Sequence, residues 1–156
     1  MRRNDREVTD PAALDDILRR GSCLHLSLMD GDFPYIIPLN YGYTRKNGQP
    51  IFYFHSAPVG KKLDLIRKNP NAAFCVTLAH RVIPGATAGS YSFAYESVAG
   101  TGTISMVEDL PEKEKALAVL FSHYAPDAAF SASAQTVSHT AVFQLTVQEI
   151  WGKHHG

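Results

Sequence analysis

The stretch of residues 51–70, IFYFHSAPVGKKLDLIRKNP, constrains the fold most because it joins a strand pattern to a helix pattern through a short turn. Residues 51–54 are all aromatic or apolar, which predicts a strand that is buried on both faces. Pro58 and Gly60 then predict a turn. Residues 61–68 repeat apolar side chains at helical spacing until an Asn-Pro pair stops the helix. The chain is therefore expected to pass directly from a buried strand into a cationic helix.

The N-terminal end of this helix is a candidate anion site. Its unpaired N–H groups and the positive end of the helix dipole would lie beside Ser56, Lys61 and Lys62, and this combination suits a phosphate dianion. The same charges also fit a solvated helix face, because Asp64 lies three residues after Lys61 and four before Lys68. The stretch is not a Walker loop, so the residue types alone leave both interpretations open.

His55 closes the predicted strand and also has two interpretations. It is either a hydrogen-bonded core residue or a side chain that exchanges a proton near neutral pH. The remaining histidines and the two cysteines show no recognised zinc spacing, so no metal site is expected. Cys23 and Cys75 lie singly in strand-like runs and are predicted to be buried, reduced thiols.

Length and charge narrow the class of protein. A chain of 156 residues with 45% hydrophobic residues is predicted to form one domain, residues 1–156, with a real core. Its 15 basic and 15 acidic residues cancel, which argues against binding to nucleic acid or to a membrane surface. No apolar run reaches membrane-spanning length, and the start has no apolar segment of a secretory signal. We therefore expect a cytoplasmic protein.

Alternation and helical periodicity assign the rest of the chain. They predict six strands and three short helices, in the order helix, three-stranded meander, helix, two strands, helix, strand. The meander comprises residues 23–29, residues 34–43 and the strand that begins at residue 51. This order indicates a mainly β fold, a barrel with peripheral helices.

Several segments carry expectations of their own. Residues 79–92 lose periodicity and are predicted to form a long connection that either binds a ligand or is mobile. Residues 128–138 are predicted to be a loop, and the final strand is predicted to span residues 141–150. The third helix is predicted to bury one stripe of side chains, namely Leu117, Leu120, Phe121 and Tyr124.

Three positions in the predicted strands suggest contact with a ligand. Asn40 follows a proline-rich arm and offers both donors and acceptors to a heterocycle, although it also fits an ordinary turn or bulge. Gly100 and Gly102 lie on one face of their strand. Their missing side chains would allow either the close approach of a flat ring or of another backbone, or a bend in a barrel.

Taken together, five stretches resemble the FMN-binding split β-barrel proteins, in the pyridoxamine 5′-phosphate oxidase-related branch that includes the 5-nitroimidazole resistance (Nim-type) proteins. The stretches are MRRNDREVTD, DGDFPYIIPLNYGY, FYFHSAPVGKKLDLIRKNP, YESVAGTG, and His-Tyr at positions 123 and 124. The string FHSA-x-x-G-K-K before the IRKNP helix is specific, and the other stretches keep the family order.

This resemblance implies a six-stranded split β-barrel that forms a homodimer, with FMN in two symmetric clefts between the subunits. It implies phosphate binding by Ser56, Ala57, Gly60, Lys61 and Lys62. Pro38, Leu39 and Asn40 would face the isoalloxazine ring and the ribityl chain, and Ser97 would line the cofactor cleft. His55 would lie near the ring and serve as the catalytic residue. NADH or NADPH would be the electron donor, and a small molecule such as a nitroaromatic compound would be the acceptor.

The chain also departs from the family, and other functions stay open. It ends in WGKHHG and lacks the arginine-and-proline motif with which pyridoxamine phosphate oxidases hold their substrate, which argues against vitamin B6 synthesis. One alternative is a flavin-binding or flavin-sensing module without turnover. Another is a split barrel that holds haem or a further cofactor, with His55 or His123 as the axial ligand.

Overall fold

Alternating apolar side chains build one antiparallel sheet in the computed structural model, which describes residues 4–156 apart from the side chains of Asn4 and Ala79. The first three residues of the matched MRRNDREVTD stretch lie outside this part. The eight strands are β1 Glu7–Val8, β2 Leu24–Asp30, β3 Phe33–Leu39, β4 Gly42–Lys46, β5 Gln49–Ser56, β6 Asn71–Ile83, β7 Ser92–Met106 and β8 Ala141–His155. Their hydrogen-bonded order is β3-β2-β6-β7-β8-β5-β4, and β1 pairs with β8.

Four α-helices lie around this sheet. They are α1 Pro11–Arg20, α2 Lys61–Lys68, α3 Leu110–Tyr124 and α4 Ala134–His139, and two short 3₁₀ turns cover Asn4–Arg6 and Ala88–Ser90. The predicted mainly β fold with peripheral helices is thus confirmed, although the described chain has eight strands rather than six. None of the described helices is long and apolar enough to cross a membrane.

The sheet must curl, because the strands at its two ends are joined by a connection of only two residues. β3 and β4 stand at opposite ends of the hydrogen-bonded order, yet only residues 40 and 41 separate them in the chain. The prediction of one strand over residues 34–43, and of a three-stranded meander, is therefore wrong. The strand breaks because the Tyr41 amide donates to the Tyr124 hydroxyl, at 2.9 Å, instead of to a neighbouring strand.

β6 and β7 are longer than predicted. Only residues 84–91 connect them, because residues 79–83 of the aperiodic segment continue β6 and Ser92 already begins β7. A register shift between Leu78 and Arg81 interrupts the alternation of inward and outward side chains. Because this alternation is what predicts a strand, the bulge hides the last part of β6 in the sequence. The final strand likewise extends through His155, and α4 occupies part of the predicted loop 128–138.

The inner face of the curled sheet forms the core. Leu24, Leu26 and Leu28 of β2 point inward, and the rings of Phe52, Phe54, Phe74 and Phe143 are buried among them. A Cβ atom on Gly100 would lie 2.2 Å from the carbonyl oxygen of Glu149 and 2.7 Å from the Phe74 ring. Gly100 therefore lacks a side chain because β8 and the Phe74 ring occupy the space that a Cβ atom would need.

Helix α3 covers the outer side of β4 and β5 but buries little of itself. Ala116 is its only fully buried residue, whereas Phe121 is 36% exposed and Tyr124 40% exposed. The prediction that these two rings lie in a buried stripe is wrong. The hydroxyl of Tyr124 forms hydrogen bonds with the backbone of Tyr41 and Ser22, so the ring lies beside these residues and not in the core.

Candidate functional site

The N-terminus of α2 has no side-chain cap, in agreement with the open helix end that the sequence predicts after the Pro58–Gly60 turn. Its N-cap is Gly60, with φ of 143° and no side-chain hydrogen bond to the helix. Side chains cap each of the other α-helices, through Asp10 in α1, Asp109 in α3 and Ser133 in α4. The first N–H groups of α2 are therefore left to solvent or to a ligand.

The two lysines at this end of α2 have different surroundings. The ammonium group of Lys61 lies 2.5 Å from Oδ2 of Asp30, at the end of β2, and 5.0 Å from the ring centre of Tyr35 in β3. The hydrogen bond with Asp30 raises the pKa of Lys61. Among the described residues, Lys62 has neither an ion pair nor a hydrogen bond. One cation is thus anchored and the other is free.

Asp64 does not form the charge pairs that the solvated-face interpretation assumes. Its carboxylate lies 3.4 Å from a guanidinium nitrogen of Arg67, on the same helix. It pairs with neither Lys61 nor Lys68, which leaves the lysines of the first turn without an acid from their own helix.

His55 and Ser56 stand at the end of β5, next to this helix. His55 pairs with Val142 in the sheet and has an exposed side chain, so it is not the hydrogen-bonded core residue of the alternative interpretation. The Ser56 hydroxyl donates to the carbonyl oxygen of Ala57, at 2.9 Å. Residues 55 and 57–61 are exposed, Ser56 and Lys62 are half-buried, and the Lys61–Asp30 ion pair connects this segment to β2.

Pro38, Leu39 and Asn40 end β3, which is an edge strand because only β2 pairs with it. Pro38 is exposed, whereas Leu39 packs against the core, so Leu39 can offer a ligand only its backbone. Asn40 is exposed, and its amide nitrogen lies 3.4 Å from the carbonyl oxygen of Ser22. The prolines of this arm thus mark an edge, as the sequence predicts.

Ser97 lies apart from the other candidates. It is half-buried on the outer face of β7, between Thr77 of β6 and Lys153 of β8. Two strands, β2 and β6, separate it from β3. Within the described chain, no hydrogen bond or ion pair joins Ser97 to residues 38–40 or to residues 55–62.

A network that the residue patterns did not predict surrounds Asn40. The Tyr124 hydroxyl accepts from the Tyr41 amide and donates to the Ser22 carbonyl oxygen, both at 2.9 Å. The Nε2 atom of His123 lies 2.7 Å from the Gly21 carbonyl oxygen. Burial raises the pKa of the Tyr41 phenol. His123 and Tyr124 form one of the stretches that resemble the family. Their hydrogen bonds join residues more than 80 positions apart, so no local sequence pattern predicts them.

Comparison with solved structures identifies similar folds. A candidate 5-nitroimidazole antibiotic resistance protein of Bacteroides thetaiotaomicron is 28% identical with a TM-score of 0.83, over 94% of this chain and 85% of that one. The flavocytochrome Anf3 of Azotobacter vinelandii is 18% identical with a TM-score of 0.82, over 100% and 72% of the two chains. An FAD- and haem-binding protein of Mycobacterium smegmatis is 20% identical with a TM-score of 0.82, over 96% and 73%.

The sequence itself was compared with curated proteins and with family models. No curated protein matches it. The family model described as pyridoxamine 5′-phosphate oxidase matches residues 10–154, which is nearly the whole chain. This match and the similar structures confirm the split-barrel fold that the sequence predicts. The chain therefore belongs to the pyridoxamine 5′-phosphate oxidase family.

Proposed function

We propose that this protein binds FMN and is an oxidoreductase that passes electrons from NADH or NADPH to a small acceptor, with nitroimidazoles as one candidate class. The observation that carries the proposal is the uncapped N-terminus of α2 with Lys61 and Lys62 in its first turn. Membership of the family and the likeness to a candidate 5-nitroimidazole resistance protein support it.

The residues at α2 fit a phosphate group. A Cβ atom placed on Gly60 would meet nothing within 4 Å, so the space in front of the helix is open. Lys62 is free to make a charge-assisted hydrogen bond, and Lys61 can exchange its bond to Asp30 for one to phosphate. Ser56 and the backbone of Ala57 and Gly60 complete the proposed phosphate site.

The ring and ribityl chain are assigned to the edge of β3. An edge strand keeps backbone groups that no neighbouring strand uses, and Asn40 adds an amide with both donors and acceptors. Pro38, Leu39 and Asn40 would then orient the ring. Ser97 would reach it from the partner subunit, since it lies two strands away within its own chain.

Bound FMN would supply the two-electron redox chemistry. Over one turnover, the nicotinamide gives up a hydride and solvent supplies one proton, so the acceptor gains two electrons and two protons. The exposed imidazole of His55 is suited to deliver the proton from a ring nitrogen, because it lies at the end of β5, next to the proposed phosphate site.

The outer face of the sheet supports a homodimer with the cofactor between its subunits. Three large apolar side chains on this face are exposed, Met29 at 46%, Ile36 at 61% and Trp151 at 39%. A groove of about 420 Å³ is lined by Met29 and by small side chains that include Ser27, Ala73 and Thr101. Small side chains flanked by exposed apolar ones suit close packing of a second copy.

The visible absorption spectrum of untagged protein, purified without added cofactor, tests the cofactor. We expect a yellow protein that releases a compound with the mass of FMN on denaturation. A strong haem band would favour the haem alternative instead. A colourless protein that also ignores added FMN contradicts the proposal.

Anaerobic mixing with NADH or NADPH tests the enzymatic part separately. If the protein is an oxidoreductase of the proposed type, the absorption of the bound flavin bleaches and returns when an acceptor such as metronidazole is added. A bound flavin that never bleaches would leave a binding or sensing module.

Replacement of His55 by alanine tests its proposed role. Because the imidazole is exposed, we expect FMN binding and the unfolding temperature to stay within error of the wild type. Turnover of the acceptor should fall by about 10²-fold or more, as is typical of a lost general acid. Unchanged turnover would show that His55 takes no part in the reaction.

A further inference from the structure

The junction between β3 and β4 is held by the C-terminal end of α3. This junction, residues 40 and 41, is the covalent link between the two ends of the hydrogen-bonded sheet. One phenolic oxygen, Oη of Tyr124, joins this junction to the segment before β2: it accepts from the Tyr41 amide and donates to the Ser22 carbonyl oxygen. A single side chain thus connects Tyr41, the residue immediately before β4, to Ser22, which lies two positions before β2.

Asn40 shares this arrangement. Its amide nitrogen approaches the same Ser22 carbonyl oxygen, at 3.4 Å, to which Tyr124 donates at 2.9 Å. The longer distance marks the Asn40 contact as the weaker of the two. Tyr124 and Asn40 therefore share one acceptor, the Ser22 carbonyl oxygen, and Tyr124 forms the stronger of the two hydrogen bonds.

We propose that Tyr124 is a positioning residue, which holds Asn40 in the orientation that receives the flavin ring. This inference rests on the proposed FMN site and names the residue that shapes its ring end. Tyr124 is 40% exposed and lies outside the buried core, and its ring contacts that of the neighbouring His123, which Tyr124→Phe would preserve. Its contribution is the pair of backbone hydrogen bonds.

Several contacts around the junction do not involve the Tyr124 hydroxyl and would persist without it. A Cβ atom on Gly42 would lie 2.5 Å from the backbone nitrogen of Leu120, so α3 rests directly on the start of β4. The rings of His123 and Tyr41 lie 4.6 Å apart, and the Tyr41 hydroxyl donates to the Leu18 carbonyl oxygen. Loss of the Tyr124 hydroxyl should therefore reorient the junction locally and leave the fold in place.

The test compares Tyr124→Phe with Tyr91→Phe, using two ligands. Tyr91 is an exposed tyrosine whose hydroxyl has no hydrogen bond among the described residues, so its variant removes the same atom without a partner. We expect Tyr124→Phe to weaken binding of FMN and of riboflavin alike, by about fivefold, the effect of one net hydrogen bond. Tyr91→Phe should change neither affinity.

Riboflavin separates the two ends of the site because it lacks the phosphate. Lys61→Ala with Lys62→Ala should weaken FMN binding and leave riboflavin binding unchanged, whereas Tyr124→Phe should affect both ligands. If Tyr124 acts through Asn40, Tyr124→Phe will have no further effect in an Asn40→Ala background. Full additivity in that cycle would overturn the positioning role.

A measurement without flavin keeps the inference distinct from the proposed function. In the ligand-free protein, Tyr124→Phe should speed hydrogen exchange of the Tyr41 amide about tenfold or more, while amides in the core of β7 keep their rates. An unchanged Tyr41 rate would overturn the inference even if FMN binds. Faster exchange in a protein that takes up neither flavin would instead contradict the proposed function, and the role of Tyr124 at a flavin would fall with it.

Discussion

The carboxylate of Asp15 illustrates how single residues fix the helices to the sheet. It is nearly buried on α1, where it accepts from Nη2 of Arg45 at 2.7 Å and from the Tyr43 hydroxyl at 2.6 Å. Burial alone would raise its pKa, but the hydrogen bonds from Arg45 and Tyr43 outweigh it, so the pKa of Asp15 lies below its ordinary value of 3.8. This group of three joins α1 to β4.

Replacement of Asp15 by asparagine should lower the free energy of unfolding by about 2 kcal/mol, because it leaves a partly buried guanidinium without its charge partner. The adjacent Asp16 is the control, since its exposed pair with Arg20 is expected to contribute about 0.5 kcal/mol. Urea unfolding of both variants measures the difference. Equal effects of the two substitutions would contradict the assignment.

The Asp15 carboxylate also makes the free energy of unfolding depend on pH. The folded pKa of Asp15 is depressed, so its stabilisation is complete above 3.8 and is lost as the pH falls through the lower folded value. The difference in unfolding free energy between the wild type and Asp15→Asn should therefore shrink as the pH drops below 3.8. A difference that stays constant or grows on acidification would be inconsistent with this account.

At the scale of elements, the open end of α2 faces a competing acid. Asp30 of β2 holds Lys61 at 2.5 Å and places a negative charge beside the proposed phosphate site. We expect Asp30→Asn to tighten FMN binding several-fold at low salt, because it removes that repulsion and frees the lysine. Asp32→Asn, in the turn that follows β2, is the control and should leave the affinity unchanged. Weaker binding in Asp30→Asn would mean that the acid orients Lys61 for the ligand.

Elements with local signals were predictable from the sequence, and elements fixed by distant contacts were not. The strand, turn and helix of residues 51–70 follow from periodicity and from Pro58, Gly60 and Pro70, and all appear in the structure. The break after β3 depends instead on Tyr124, more than 80 residues away in the chain. The bulge in β6 hid a strand in the same way, since it disrupts the alternation on which such predictions rely.

The candidate site was predictable to a similar degree. The lysines and the glycine before α2 could be chosen from the sequence because helix geometry alone brings them together. The pairing of Lys61 with Asp30 depends on how β2 meets α2, and the distance of Ser97 from Asn40 depends on the order of the strands. Such information lies in the topology, which no single stretch of sequence contains.

At the scale of the whole molecule, the groove and the exposed apolar side chains on the outer face of the sheet predict a homodimer. Ala73→Arg places a long charged side chain in the groove beside Ser27 and Thr101 and should convert the dimer to monomers. Sedimentation equilibrium measures the change, and Glu114→Arg on the exposed side of α3 is the control. FMN affinity should fall together with dimerisation if the cofactor lies between subunits. A monomeric wild type would rule out the proposed assembly.

The most direct test of the FMN site is the affinity for FMN and riboflavin of two double variants of α2. Lys61→Ala with Lys62→Ala removes two positive charges at the open N-terminus, and Arg67→Ala with Lys68→Ala removes two at the other end of the same helix. We predict that the first variant binds FMN at least 30-fold more weakly, about 2 kcal/mol for two charge-assisted hydrogen bonds, and that riboflavin binding is unchanged. The second variant should match the wild type for both ligands. Equal FMN affinity in the two variants would contradict a phosphate site at α2.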